Sequence, residues 1–338
     1  MISLFKYFPQ IKEKVPWVTL GNFPTRVTLL SNIVKNLPIK SFWVKRDDET
    51  SSIFGGNKIR NLEFEFGKII QLKKKLILAY GSIGSNFTVA CCMFGKHFNI
   101  PVNLILFDTV RTEDVENNYK INSALANKIT FSKSIMFLPY YVIKEVINTH
   151  HMDRYLMPPG GTSPLSVLGY INAMFELKEQ IDNHELPIPN YIFLPVGTGG
   201  TIAGLLIGKT ILKLPIKIIG ITVFEKFLTN ISMIKILIYR SVKYFNSIAN
   251  TNISAKKIFS EINLVNDFLG DGYAHPTNES NSTIKLLMDN EGLILDGTYT
   301  GKGMAGAINI IKSSLKSNDN VLFWHSYNSQ DILSKLNL

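Results

Sequence analysis

Cysteine is nearly absent: Cys91 and Cys92, side by side, are the only two in 338 residues. Adjacent cysteines match neither a disulfide framework nor any zinc-ligand spacing, which points to a reducing compartment and offers no metal site. Long apolar runs are missing as well. None reaches the roughly twenty residues of a membrane-spanning helix, and Met1 to Lys14 is interrupted by Lys6, Pro9, Lys12 and Lys14, so it lacks the apolar core of a signal peptide. A soluble, cytoplasmic chain with no membrane partner is the expectation. Acidic charge is scarce too: 26 Asp+Glu stand against 36 Lys+Arg, a net charge of +10 that raises the question of a nucleic-acid partner. The densest basic run is only Lys73-Lys74-Lys75, at the end of an expected helix where cations complement the helix dipole. With no basic stripe carrying interleaved aromatics, nucleic acid is set aside. No internal repeat or low-complexity tract is present.

Apolar material is plentiful. The apolar fraction is 46% and the charged fraction 18%, with 3 Trp, 13 Tyr and 21 Phe, so the chain can fill more than one core. Its length exceeds that of a single growing core, which makes two lobes the starting expectation. Phe42 to Arg46 reads as a strand ending in the acidic turn Asp47-Asp48-Glu49, and Gly55-Gly56-Asn57 opens a helix running through Leu72. Strands and helices then alternate: strand Leu76 to Ala79, helix Asn86 to His97, strand Val102 to Phe107, helix Asn118 to Lys128, a strand near Ile135 to Leu138, helix Tyr141 to Thr149, strand Asp153 to Met157. The second half repeats the pattern with helix Leu165 to Asp182, strand Tyr191 to Pro195, helix Thr201 to Ile211 and strand Ile216 to Phe224. A long helix from about Phe227 to Asn250, a helix near Glu279 to Asn290 and a last strand Asn320 to Trp324 complete it. Such alternation means open, mostly parallel sheets flanked by helices, an α/β fold. The expected partition is 1–53 with 159–338 as a large lobe and 54–158 as a small inserted one.

Four motifs stand where chemistry could happen. Lys58 sits at the opening of a helix, where the dipole disfavours a charged ammonium and would leave a freer amine for Schiff-base chemistry, although an ordinary exposed helix-start lysine reads the same way. Gly197-Thr198-Gly199-Gly200-Thr201 lies between a strand and a helix, where bare backbone N–H groups can cradle a phosphate; a plain tight turn is the alternative. It is neither a P-loop nor a dinucleotide fingerprint, because no Lys-Ser/Thr pair closes it and the Gly-x-Gly-x-x-Gly spacing is not met. Gly84-Ser85-Asn86 suits a carboxylate or is a simple helix cap. Tyr273 and Tyr299, the latter in Tyr299-Thr300-Gly301-Lys302-Gly303, offer two phenols to a ligand or to the core.

One lysine, one phosphate turn, one carboxylate turn and a pair of phenols occupy complementary roles, and pyridoxal 5'-phosphate (PLP) uses all of them. Over most of its length the chain resembles the family of 1-aminocyclopropane-1-carboxylate (ACC) deaminases and D-cysteine desulfhydrases, PLP enzymes of the tryptophan-synthase-β-like fold type II. The resemblance is carried by Phe42 to Asp48, by Gly55-Gly56-Asn57-Lys58-Ile59-Arg60-Asn61-Leu62-Glu63 and by Gly160 to Leu165 with Leu168-Gly169-Tyr170. Gly197 to Gly204, Gly270 to Tyr273 and Asp296 to Gly306 extend it. It implies that Lys58 holds PLP and moves the substrate proton, that Ser85, Tyr273 and Tyr299 are catalytic, and that Asn86 bonds the cofactor's 3′-oxygen. It further implies that Gly197, Thr198, Gly199, Gly200 and Thr201 bind the phosphate, that Thr300 partners the pyridine nitrogen, and that the protein is a homodimer.

Within that family the deaminases place Glu after the second tyrosine and Leu after the last strand's His, whereas this chain has Thr300 and Ser326. A hydroxyl at the ring nitrogen drains carbanion charge less fully than a carboxylate would, which favours loss of a β-substituent. The expected reaction is PLP-dependent β-elimination on a small amino acid, D-cysteine giving pyruvate, sulfide and ammonia. ACC deamination is the alternative, and a PLP-holding protein without turnover is the rival of another class. The chain departs from the family at Gly84, Phe87, Tyr327 and Asn328, which stand where the resemblance leads one to expect Gln, His or Gln, and a glycine pair.

Overall fold

Hydrophobic runs bounded by turns set the strands, and the computed structural model, which describes residues 2–225 and 229–338, gathers them into two sheets. The strands are β1 (Val27–Leu29), β2 (Ser41–Arg46), β3 (Leu76–Ser82), β4 (Val102–Phe107), β5 (Lys128–Ser132), β6 (Arg154–Leu156), β7 (Tyr191–Val196), β8 (Lys217–Thr222), β9 (Asn263–Val265) and β10 (Asn320–His325). One sheet has the order β1-β2-β10-β7-β8-β9 and is parallel except for β1, which runs antiparallel to β2. The other is parallel throughout, in the order β5-β4-β3-β6. The α/β class with two mostly parallel sheets is therefore as expected.

The reason β10 reads as an unbroken apolar run is that both of its faces are covered. Val321 and Phe323 join Phe42, Val44, Met304 and Ile308 in one core, while Leu322 and Trp324 turn to the opposite core with Ile192 and Leu194. A third core, around Phe66, Ile77, Phe94, Leu104 and Leu106, fills the four-stranded unit.

Between the cores lies a buried polar network. Arg60 Nη2 meets Asp47 Oδ1 at 2.7 Å and Arg60 Nη1 meets Glu176 Oε2 at 2.8 Å, while Lys45 Nζ meets Glu176 Oε1 at 2.5 Å. Asp47 Oδ2 also accepts from Trp324 Nε1 at 2.7 Å and from the Tyr170 hydroxyl at 2.8 Å. Burial alone would push the Glu176 carboxyl up, but Arg60 and Lys45 outweigh it and hold it below its ordinary range. These bonds tie the first turn of the helix Lys58–Gln71 to β2, to β10 and to the helix Leu168–Asp182.

Several expected elements shift. The helix expected at Asn118 to Lys128 is Glu113–Leu125, capped by Thr112 with Glu113, Asp114 and Glu116 in its first turn. Residues 128–132 form β5 instead. The strand expected near Ile135 to Leu138 is a short 3₁₀ turn leading into the helix Leu138–Asn148; Ile135 lines a cavity, while Met136 and Phe137 face outward, Met136 being 86% exposed. The helix expected from about Phe227 is observed as Ile231–Ala249, Phe227 itself lying outside the described residues. The helix Thr300–Ser314, which carries Gly301, Gly303 and Gly306, was not anticipated. These glycines are packing devices: a Cβ at Gly301 would come within 2.7 Å of the Asp296 carbonyl, and one at Gly306 within 2.9 Å of Phe268.

Replacing Arg60 by Ala would leave Asp47 buried without its cation and Glu176 with Lys45 alone. The expected loss is about 3–5 kcal/mol of stability, read as a lowered urea midpoint in equilibrium unfolding monitored by Trp fluorescence.

Candidate active site

Two parallel strands end at helix starts that face each other. β7 runs into the glycine turn and the helix Gly200–Leu212; β3 runs through Ile83 to Ser85 into the helix Asn86–His97. The helix Lys58–Gln71 begins between them, and a cavity of about 460 Å³ opens where the three helix starts converge. Lys58, Ser85, Asn86, Gly197, Thr198, Gly199, Gly200, Thr201, Tyr273 and Tyr299 all line it. Ligands of open α/β sheets bind at such a place, outside the carboxyl ends of strands.

The lysine and the glycine turn are directly connected, since Asn57 Nδ2 donates to Thr201 Oγ1 at 3.2 Å. Lys58 Nζ donates to the Gly160 carbonyl at 3.1 Å. Burial depresses its ammonium to about 8; the neighbouring Cys91 thiol is itself pushed well up by burial, stays protonated and adds no charge. In the glycine turn, Gly199 has φ +83°, in the left-handed region that favours glycine. A Cβ at Gly200 would come within 3.0 Å of Thr162 Oγ1. The Gly197 carbonyl accepts from Thr229 Oγ1 at 2.6 Å, and the Ala203 N–H bonds back to the Gly199 carbonyl at 3.0 Å. The N–H groups ahead of Ala203 have no carbonyl of their own helix to reach, which is the anion-binding arrangement.

Across the cavity, Tyr273 and Tyr299 share a hydrogen bond of 2.6 Å between their hydroxyls, and Ser82 Oγ lies 3.3 Å from the Tyr273 hydroxyl. The Phe224 ring stacks on Tyr273, centroids 4.1 Å apart. Burial pushes both phenols up, so each carries its proton at neutral pH. The cation Arg240 stands among apolar side chains of the helix Ile231–Ala249, and among the described residues no carboxylate lines the cavity.

Thr300 is the expected site residue that the structure does not bring to this wall. It is fully buried, its hydroxyl donates to Asp296 Oδ1 at 2.6 Å, and it accepts from the Asp296 N–H at 3.0 Å. The four departures have structural accounts. Val115 occupies the space at Gly84, where a Cβ would come within 2.6 Å of its Cγ2, and Phe87 is buried against Gly161. Tyr327 lines the cavity and its hydroxyl reaches Asp114 Oδ1 at 3.4 Å, while Asn328 Oδ1 accepts from the Gly55 N–H at 2.8 Å. Reasoning from the sequence missed Asn57, Asn61, Ser82, Thr162 and Arg240 as cavity residues. Asn61 could have been found, since three residues past Lys58 it shares that helix face; the others depend on long-range packing that no local pattern encodes.

These residues fit PLP. The glycine cradle would hold its phosphate, Lys58 its aldehyde carbon and Asn86 its 3′-oxygen; Asn61 Oδ1, buried at the cavity edge, has no protein partner among the described residues. A protein that binds PLP at the carboxyl ends of parallel strands in this way is a fold type II enzyme. The family model described as "Pyridoxal-phosphate dependent enzyme" matches residues 18–326, and the chain belongs to that family. A Pyrococcus furiosus protein named "Putative 1-aminocyclopropane-1-carboxylate deaminase" is 30% identical, covering 96% of this chain and 93% of the relative. A D-cysteine desulfhydrase of Klebsiella pneumoniae is 26% identical, covering 93% and 94%. A solved structure, "Crystal Structure Analysis of the ACC deaminase homologue", superposes with a TM-score of 0.81 at 26% identity, covering 97% of this chain and 95% of that one. The family expected from the motifs is thus the one found, and pyridoxal phosphate is its cofactor.

The depressed Lys58 amine gives a pH test. Uptake of PLP by cofactor-free protein, followed as growth of yellow absorbance, should accelerate as pH rises through about 8 rather than 10.5. Borohydride trapping and peptide mass analysis should place the label on Lys58, and Lys58→Met should take none.

Proposed function

We propose that the chain catalyses β-elimination from a small amino acid, with D-cysteine plus one water giving pyruvate, hydrogen sulfide and ammonia. The observation that carries this reading is the absence of any carboxylate from the cavity wall among the described residues. With no anion to keep a proton on the ring nitrogen, carbanion charge at Cα is relieved best by expelling a leaving group from Cβ. The cofactor, when bound, supplies the electron sink.

The protein's own groups divide the remaining work. The N–H groups of the 197–201 turn grip the phosphate, and Ser85 with the start of its helix holds the substrate carboxylate. Lys58, whose amine is deprotonated in part at neutral pH, removes the proton from Cα. Tyr273 and Tyr299, held protonated, donate to the departing sulfur. The lobe partition is proposed at the same residues as before, 1–53 with 159–338 and 54–158, on the membership of the two sheets. A cytoplasmic homodimer completes the proposal; the exposed apolar side chains Met136, Phe137, Ile143 and Ile236 are the kind a second copy would cover.

Purified protein loaded with PLP should release sulfide and pyruvate from D-cysteine, and little or no 2-oxobutanoate from ACC. Tyr299→Phe should lower kcat by about 10²–10⁴-fold, the usual worth of a positioned acid, with the yellow cofactor retained. Release of 2-oxobutanoate without sulfide would replace this reading with deamination, and a bound cofactor with no product from any β-substituted alanine would leave a PLP-holding protein without turnover.

A further inference from the structure

Asn86 lies on the wall between the main cavity and a smaller polar one of about 200 Å³. Its side chain accepts one hydrogen bond, from Asn118 Nδ2 to Asn86 Oδ1 at 3.0 Å. The same Asn118 nitrogen donates to the Gly84 carbonyl at 2.9 Å. A backbone carbonyl can only accept, so the end of Asn118 that faces Gly84 must be its NH₂. It follows that the end of Asn86 facing Asn118 must be its oxygen. The Asn86 NH₂ is then the end left toward the main cavity, where it has no protein partner among the described residues.

We infer that Asn118 is a positioning residue that locks the Asn86 amide with its NH₂ toward the cofactor's 3′-oxygen. This rests on the reading of the cavity as a PLP site. An oxygen carrying negative charge needs a donor, and a free asparagine can as readily offer its own oxygen, which would repel it. The helix Glu113–Leu125 is built to deliver this constraint. It approaches the turn because Gly84 has no side chain, leaving Val115 Cα only 3.1 Å from where a Cβ would stand. One helical turn beyond Asn118, Asn122 Nδ2 donates to Thr88 Oγ1 at 3.0 Å, and Thr88 Oγ1 donates to the Ser85 carbonyl at 2.9 Å. Two asparagines at i and i+4 therefore brace the turn that presents both Ser85 and Asn86.

The test uses the full-length protein loaded with PLP and the variants Asn118→Asp and Asn118→Ala. An aspartate at 118 draws the Asn86 NH₂ toward itself and turns Asn86 Oδ1 onto the 3′-oxygen, which then keeps a proton. The near-ultraviolet band should grow at the expense of the yellow one, their ratio changing on the order of tenfold, the worth of one hydrogen bond to a charged group. The PLP dissociation constant should rise with it. Asn118→Ala, which lets the amide turn freely, should move both quantities in the same direction by less, and it decides the matter alone if the aspartate variant does not fold. A yellow wild type whose variants keep its band ratio overturns the inference, even if PLP binds more weakly, because loosened packing changes affinity without changing where the proton resides. A wild type that takes up no PLP overturns the PLP reading itself and this inference with it.

Discussion

A guanidinium buried two residues beyond Lys58 anchors the site to the fold. Arg60 is held by Asp47, which follows β2, and by Glu176 on the helix Leu168–Asp182, while Asp47 is held in turn by Trp324 of β10. Removing charges from water is costly, so this network contributes to stability only while every partner is present. That requirement makes it specific. The helix Lys58–Gln71 can begin at one place only, with its first residue at the mouth of the cavity and its third locked into the sheet. The same placement buries much of Lys58 and gives it no carboxylate partner among the described residues, and that burial is what depresses its ammonium.

Much of this was legible in the sequence, for identifiable reasons. Strands covered on both faces are written as apolar runs, so β4, β7 and β10 were found close to their observed ends. Turns that must admit an anion need small residues, so Gly197 to Thr201 announced themselves. The misreadings also have physical causes. Glycines normally break helices, yet in Thr300–Ser314 they let the helix lie tight against Asp296 and Phe268. An apolar run normally seeks a core, yet Met136 and Phe137 face outward. Short strands such as β1 and β9, three residues each, are specified by their neighbours more than by their own pattern.

The site was legible as a list of residues but not as a network. No spacing rule says that Asn57 would reach Thr201 across 144 positions, or that Ser82 would join the two phenols. The depressed amine at Lys58 was anticipated from the helix dipole, whereas burial is the cause the structure supplies. Thr300 shows the converse. A motif places it next to Tyr299, but the fold commits its proton to Asp296 inside the helix start, so adjacency in sequence did not become adjacency to the cavity.

Three helices begin at this cavity, and each directs the positive end of its dipole inward. Lys58 and Arg240 add cations, the phenols and amides add donors, and no described side chain on the wall carries negative charge. Such a surface suits a ligand that brings its own anions, a phosphate and a carboxylate. It is poorly equipped with bases. Because a guanidinium such as that of Arg240 only donates and the phenols stay protonated, the depressed amine of Lys58 is the wall's one ready proton acceptor among the described residues. A site with one base and several acids suits a reaction that removes a single proton and lets a protonated group depart, which is the demand made by the β-elimination we propose.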